Sequence, residues 1–163
     1  MKKIINKKGF TLIELLAVIS ILAIIAVIAT PNIVTLVDNS KKQEFVTDAI
    51  SFTSKAVYKY KFEKYEDLFT VKDNCKIITL RNTGIEAKTD PDGNNYDLDN
   101  SIIKICEEEN NGIKEKVSYI LIKSTTTETD KRVRGIFDNN SSDKTVKVDS
   151  LATKDVLDLK DLK

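Results

Sequence analysis

The sequence predicts an α+β protein: one long N-terminal α-helix followed by a small, mostly antiparallel β-sheet. Three observations carry that reading. Residues 10–29 are an almost unbroken apolar run. Residues 45–60 then repeat apolar side chains at helical spacing. Beyond residue 70 the chain breaks into short Ile-, Val-, Thr- and Tyr-rich stretches separated by turn residues.

The apolar run, Phe10 to Ala29, holds one charge, Glu14, and two hydroxyls, Thr11 and Ser20. Twenty helical residues span about 30 Å, the thickness of a bilayer core. Four lysines, Lys2, Lys3, Lys7 and Lys8, precede the run, and the next cations are Lys41 and Lys42. The positive-inside rule therefore places the N-terminus in the cytoplasm and the residues beyond about 32 outside.

Such a segment fits three roles: a secretory signal peptide cleaved after Ala29, a plain single-pass anchor, or a leader processed before the apolar run. Glu14 separates them. A carboxylate inside an apolar run is costly to insert and marks function. Around it stands Gly9-Phe10-Thr11-Leu12-Ile13-Glu14, preceded by lysines and followed by about fifteen apolar residues. This stretch resembles the type IV prepilin motif, and Pro31 sits where pilins commonly carry a helix-interrupting proline. The resemblance spans residues 7–31.

The resemblance implies a chemistry for each residue. A prepilin peptidase would cut between Gly9 and Phe10 on the cytoplasmic face, and the new Phe10 amine would be N-methylated. Removing residues 1–9 takes away four lysines, leaving 22 basic against 25 acidic side chains. The cationic tether to the membrane surface goes with them. Glu14 would pair with the Phe10 amine of a neighbouring subunit, a contact that sets register more than it adds stability. Around Pro31, which lacks the N–H a helix needs, the helix should kink or loosen.

A helix continuing past Pro31 presents Phe45, Ala49, Phe52, Ala56 and Tyr60 on one stripe, with Val46, Ile50 and Val57 beside it. The expected organisation is a leader (1–9), a membrane and filament-core helix (10–30), its amphipathic continuation (31–62) and a β-rich head (63–163). Strands are expected at Lys76–Arg81, Ser101–Cys106, Lys116–Lys123, Arg132–Phe137 and Thr145–Val148. Asn111-Gly112 reads as a hairpin, with the flanking acids suggesting a loop longer than two residues. The tail from Leu151 reads as a short helix or strand.

Composition removes several functions. The chain has 163 residues, a net charge of +1, no His and no Trp. Without His it lacks the commonest general base and transition-metal ligand. Near-neutrality gives no electrostatic case for nucleic acid. Cys75 and Cys106 lie on the outer side of the topology, where a disulfide is reasonable and resembles the bridge of many pilins. Two free thiols are the alternative. The acidic stretch Asp90–Asp99 fails the calcium-loop pattern, with glycine fourth rather than sixth, and reads as a solvated turn. No catalytic triad, phosphate loop, metal cluster or cofactor motif is present, so no enzyme is expected. The resemblance implies a subunit of a type IV pilus used in adhesion, motility or aggregation, or a pseudopilin of a secretion or DNA-uptake system. A membrane-anchored binding protein that never polymerises is the remaining class. Implied partners are other pilin subunits, the prepilin peptidase, a platform membrane protein and an assembly ATPase.

Overall fold

A computed structural model describes residues 10–85, 89–125 and 132–162. The chain divides into two compact units, Met1–Asp38 and Asn39–Lys163. One helix, α1 (Leu12–Tyr60), runs through 49 residues. At 1.5 Å per residue it is about 73 Å long. The structure is therefore α+β, a long N-terminal helix followed by an antiparallel sheet of eight strands.

Within the second unit, α1 buries one face. Phe45, Val46, Ala49, Phe52 and Ala56 are each at most 3% exposed. They meet Ile78, Ile103, Ile105, Ile120, Ile122, Ile136 and Val156 in one cluster. The expected stripe is this face, with Tyr60 and Val57 packed at its edge. Ile50 departs from the expectation and is exposed. Its side chain falls on the outer flank of the helix, away from the spacing of the buried residues.

The strands are β1 (Thr70–Lys72), β2 (Cys75–Thr79), β3 (Asn95–Tyr96), β4 (Ile102–Asn110), β5 (Ile113–Thr125), β6 (Arg134–Ile136), β7 (Val146–Lys147) and β8 (Val156–Asp158). Their order is β1-β2-β4-β5-β6-β8, with β3 and β7 also paired to β5. All pairings are antiparallel. The long β5 is the spine of the sheet. Gly135 of β6 passes so close to β5 that an added Cβ would lie 2.6 Å from the Ile122 carbonyl oxygen.

The β4–β5 hairpin is tighter than the sequence suggests. Asn110 pairs directly with Ile113, so only Asn111 and Gly112 form the loop. Both have positive φ, 52° and 78°, as a two-residue type I′ turn requires. The acids belong to the strand and do not lengthen the loop. Glu107 and Glu109 stand opposite Lys116 and Lys114, and opposite charges across a pair favour strand over loop.

Cys75 and Cys106 face each other in the β2–β4 register, Cα atoms 4.1 Å apart, and are joined by a disulfide. The bond spans a sequence separation of 31. In the chain-entropy view, closing such a loop contributes about 3 to 4 kcal/mol.

The stretch Asp90–Asp99 is a solvated turn only in part: Gly93, Asn95 and Asp99 are exposed. Asp90, Asn94 and Tyr96 are buried. Asp90 Oδ1 accepts the backbone amides of Asp92 (2.9 Å) and Asn94 (2.8 Å). Asp92 is paired with Lys41 of α1 at 3.0 Å and with the buried Arg134 of β6 at 2.6 Å. Tyr96 packs edge-on against Phe45 and Phe52, and its hydroxyl donates to Asp48 Oδ2 at 2.9 Å. Burial and the adjacent Asp48 carboxylate push the phenol well above its ordinary range, so it remains a donor. Asp92 is turned inward because Lys41 and Arg134, from distant segments, meet it there, whereas Asp90 is held by amides of its own turn and Asp99 stays exposed.

Replacing Tyr96 by Phe removes one donor from a buried carboxylate and should destabilise the fold by about 1 to 3 kcal/mol. An unchanged denaturation midpoint would contradict this account of the Asp48–Tyr96 contact.

Asp143 yields a second expectation. Burial raises its carboxyl, but hydrogen bonds from Lys104, Thr145 and Ser141 outweigh that and hold it well below the usual carboxylate range. Arg132 and Arg81 likewise lower Asp158 and Asp99. A carboxyl with a lowered folded pKa stabilises the fold above its unfolded pKa and loses that contribution as pH falls. Stability should therefore decline from about pH 4 downward. Asp143→Asn should lower the melting temperature at pH 7 by a few degrees, roughly 1 kcal/mol. The gap to the unmodified chain should narrow below about pH 4, as read from melting curves across that range.

Candidate functional site: the start of the N-terminal helix

The first turn of α1 is a reciprocal cap. Thr11 precedes the helix, and its carbonyl accepts the Leu15 amide at 3.2 Å. Its hydroxyl oxygen accepts the Glu14 amide at 3.3 Å. Glu14 reaches back, its Oε2 accepting from the Thr11 amide (2.9 Å) and the Thr11 hydroxyl (2.7 Å). Thr11-x-x-Glu14 is thus a capping box, which satisfies amides that a helix start leaves without partners. In an apolar medium that matters more than in water, because no solvent can replace those bonds. The box also fixes where the carboxylate points. Both bonds fall on Oε2, and among the described residues no donor reaches Oε1. Phe10, just outside the helix, is 85% exposed.

Beyond Glu14 the helix is apolar on every side, and Leu12, Leu15, Leu16, Ile19, Leu22, Ile25 and Ile28 are all exposed within their own unit. The helix is long and apolar enough to cross a membrane. Its remaining polar side chains are satisfied along its own backbone. Ser20 donates to Leu16 O (2.8 Å), Thr30 to Ala26 O (2.6 Å) and Thr35 to Pro31 O (3.1 Å). Pro31 lies inside α1, which continues through it. Having no N–H, Pro31 cannot bond the Val27 carbonyl. Thr30 and, at 3.5 Å, Asn32 bond the carbonyls on either side of that gap.

Of the expected site residues, Phe10, Glu14 and Pro31 lie in the first unit, and Cys75 and Cys106 in the second. Gly9 and the rest of the leader lie outside the described residues. Thr11 is the functional residue that the sequence reasoning passed over as a mere hydroxyl. The signal was present, since a Thr followed three residues later by Glu, before an apolar run, marks a capping box. Among the described residues no group of three or more Asp, Glu, Cys or His side chains is placed to hold a metal ion.

These features define an α+β protein whose N-terminal helix is long and apolar enough to cross a membrane. Residues 5–30 match the family described as the prokaryotic N-terminal methylation motif. With the long helix and the antiparallel sheet, that match supports a member of the type IV pilin and pseudopilin family. The family is structural rather than enzymatic, and its leader and apolar helix support membrane anchoring as a prepilin. No curated protein and no solved structure matches the chain significantly.

Thr11→Val keeps the shape of the side chain and removes the hydroxyl. The start of α1 should lose about 1 kcal/mol, and helical backbone carbon shifts at Leu12–Glu14 should decay toward coil in lipid nanodiscs. Thr11→Ser should restore them. Shifts identical in all three chains would show that the box does not hold the helix start.

Proposed function

We infer that this chain is the structural subunit of a type IV pilus, which polymerises through its N-terminal helix into a surface filament serving adhesion, motility or aggregation. The single supporting observation is a lone carboxylate, Glu14, held at the first turn of a helix that is otherwise apolar all round. In this reading residues 1–9 are a leader, 10–30 the membrane and filament-core helix, 31–62 its continuation and 63–163 the head. The prepilin sits with its N-terminus in the cytoplasm and its head outside. A prepilin peptidase cuts between Gly9 and Phe10, and the Phe10 amine is methylated. The amine of an incoming subunit then meets Glu14 of its neighbour.

Energetics favour that partner. A carboxylate in a packed apolar bundle costs several kcal/mol if left alone, and a cation at hydrogen-bond distance offsets that cost. Oε1, which no donor among the described residues reaches, gives an incoming amine a site that does not displace the cap. Around Pro31 the missing backbone bond makes a local weak point, where the helix can extend under load. Other pilin subunits, a platform protein and an assembly ATPase complete the machinery.

Glu14→Ala tests the assembly role. Filament incorporation should fall at least tenfold while membrane insertion persists, since removing a charge makes the helix more apolar. N-terminal sequencing and intact mass of the mature chain test the processing step, with a methylated Phe10 expected. A mature chain beginning at Thr30 would overturn the reading. Imaging of surface fibres containing this chain tests the filament itself. Incorporation only into a short envelope-spanning assembly would replace the pilus by a pseudopilus.

A further inference from the structure

The second unit carries a cavity of about 630 Å³ between β5, β7 and the C-terminal turns, within the size range of small-molecule sites. Tyr119, Asp138, Asp155, Lys147 and Lys154 are among the residues that line it. We propose that this cavity binds a pyranose unit of a glycan.

The polar groups are the first reason. Two carboxylates and two ammoniums share one cavity with no excess of either sign. Asp138 uses Oδ1 to accept the Asn140 amide at 2.9 Å, and Asp155 uses Oδ2 to accept the Ala152 amide at 2.8 Å. Each carboxylate is thus oriented by one oxygen and can offer the other. A carboxylate only accepts hydrogen bonds, and an ammonium only donates them. A simple anion or cation would satisfy half of this set and be repelled by the rest. A sugar ring carries several neighbouring hydroxyls, each both donor and acceptor, and no net charge.

The walls are the second reason. The ring of Tyr119 is held in place from two sides: its hydroxyl donates to Glu108, and Lys104 Nζ lies 5.0 Å from its centroid. One aromatic ring, Tyr119, beside charged side chains suits a ligand with one apolar C–H face and an edge of hydroxyls.

The third reason is that the lining is built rather than loose. Asp143 anchors the loop after Phe137 by accepting from the Ser141 hydroxyl (2.8 Å), the Thr145 amide (3.2 Å) and the Thr145 hydroxyl (2.7 Å), and it is tied to Lys104 of β4. A preformed lining loses little entropy when a ligand binds. The proposal stands on these residues alone and is independent of how the N-terminal helix assembles.

The test uses the full chain in lipid nanodiscs, free of glycoside detergent. Saturation-transfer difference NMR is run with the methyl pyranosides of glucose, galactose, mannose and N-acetylglucosamine, each at millimolar concentration. At least one glycoside should receive saturation, and titration should give a dissociation constant. Lys147→Ala and Lys154→Ala are exposed changes that should leave the thermal melt unaltered and weaken that binding about tenfold or more. Lys114→Ala, at the distant hairpin end of β5, should leave it unchanged. Absence of transfer to all four glycosides would overturn the proposal. So would binding that survives the double Lys147→Ala, Lys154→Ala change, or an equal response from acetate alone.

Discussion

Over residues 12–29 α1 is apolar on every side, and over residues 45–60 it is apolar on one face only. One backbone element therefore serves two environments with the same hydrogen-bonding pattern, interrupted at Pro31 between them, because a helix satisfies its own amides and carbonyls in either. The side chains follow from that constraint. In the first unit Ser20, Thr30 and Thr35 turn their hydroxyls back onto carbonyls four residues earlier. In the second unit the polar residues on the buried face reach outward as well as back. Thr53 bonds the Ala49 carbonyl, whereas Asp48 meets Tyr96 of β3. The apolar face between them needs a partner of matching length, and β4 and β5 supply it with Ile103, Ile105, Ile120 and Ile122.

The charged residues around that core act differently from its isoleucines. Lys41, Asp92 and Arg134 come from α1, the loop before β3 and β6, and the Arg134 side chain is 3% exposed. Buried ion pairs offset their desolvation only partly, so they add little net stability over apolar packing. They do penalise mispairing. If the loop shifted by one residue, Asp92 would leave a buried guanidinium without its anion. The same logic applies to Asp90, which spends its charge on two amides of its own turn. The loop is thereby fixed to the helix, and Tyr96 is delivered edge-on between Phe45 and Phe52.

Legibility in the sequence follows interaction range. The apolar run, the Gly9-to-Glu14 motif and the Phe45–Tyr60 stripe are local patterns, readable without knowing what lies across from them. The longer strands β2, β4 and β5 are readable for the same reason. The short strands β6 and β7 lie inside expected stretches, and β8 lies in the tail read as a short helix or strand, whereas β1 lies outside every expected stretch and β3 where no run of apolar or β-branched residues marks a strand. The hairpin loop was misjudged because three consecutive glutamates look like loop composition until Lys114 and Lys116 are seen opposite two of them. The Asp90–Asp99 stretch was misjudged more deeply. The inward placement of its Asp92 and Tyr96 depends on Lys41, Asp48 and Arg134, some 40 to 50 residues away along the chain. Nothing within the stretch announces them. Thr11 was legible and overlooked, since attention to Glu14 as a charge obscured its role in the cap.

That cap bears on why processing would occur where the motif places it. A helix N-terminus carries a partial positive charge from its unsatisfied amides. On the proposed reading, cutting before Phe10 puts a full cation one residue from that end, an unfavourable position in an apolar medium. Glu14 lies in the same first turn, with Oε2 already bonded to the Thr11 amide and hydroxyl. Its charge therefore opposes both the helix end and the new amine. With the cap on one oxygen, the other can accept a cation without the first turn opening. A leader cut several residues further along would destroy the cap. On the proposed reading, a cut before Phe10 therefore keeps the cap whole while Glu14 still has an oxygen to offer the amine of an incoming subunit.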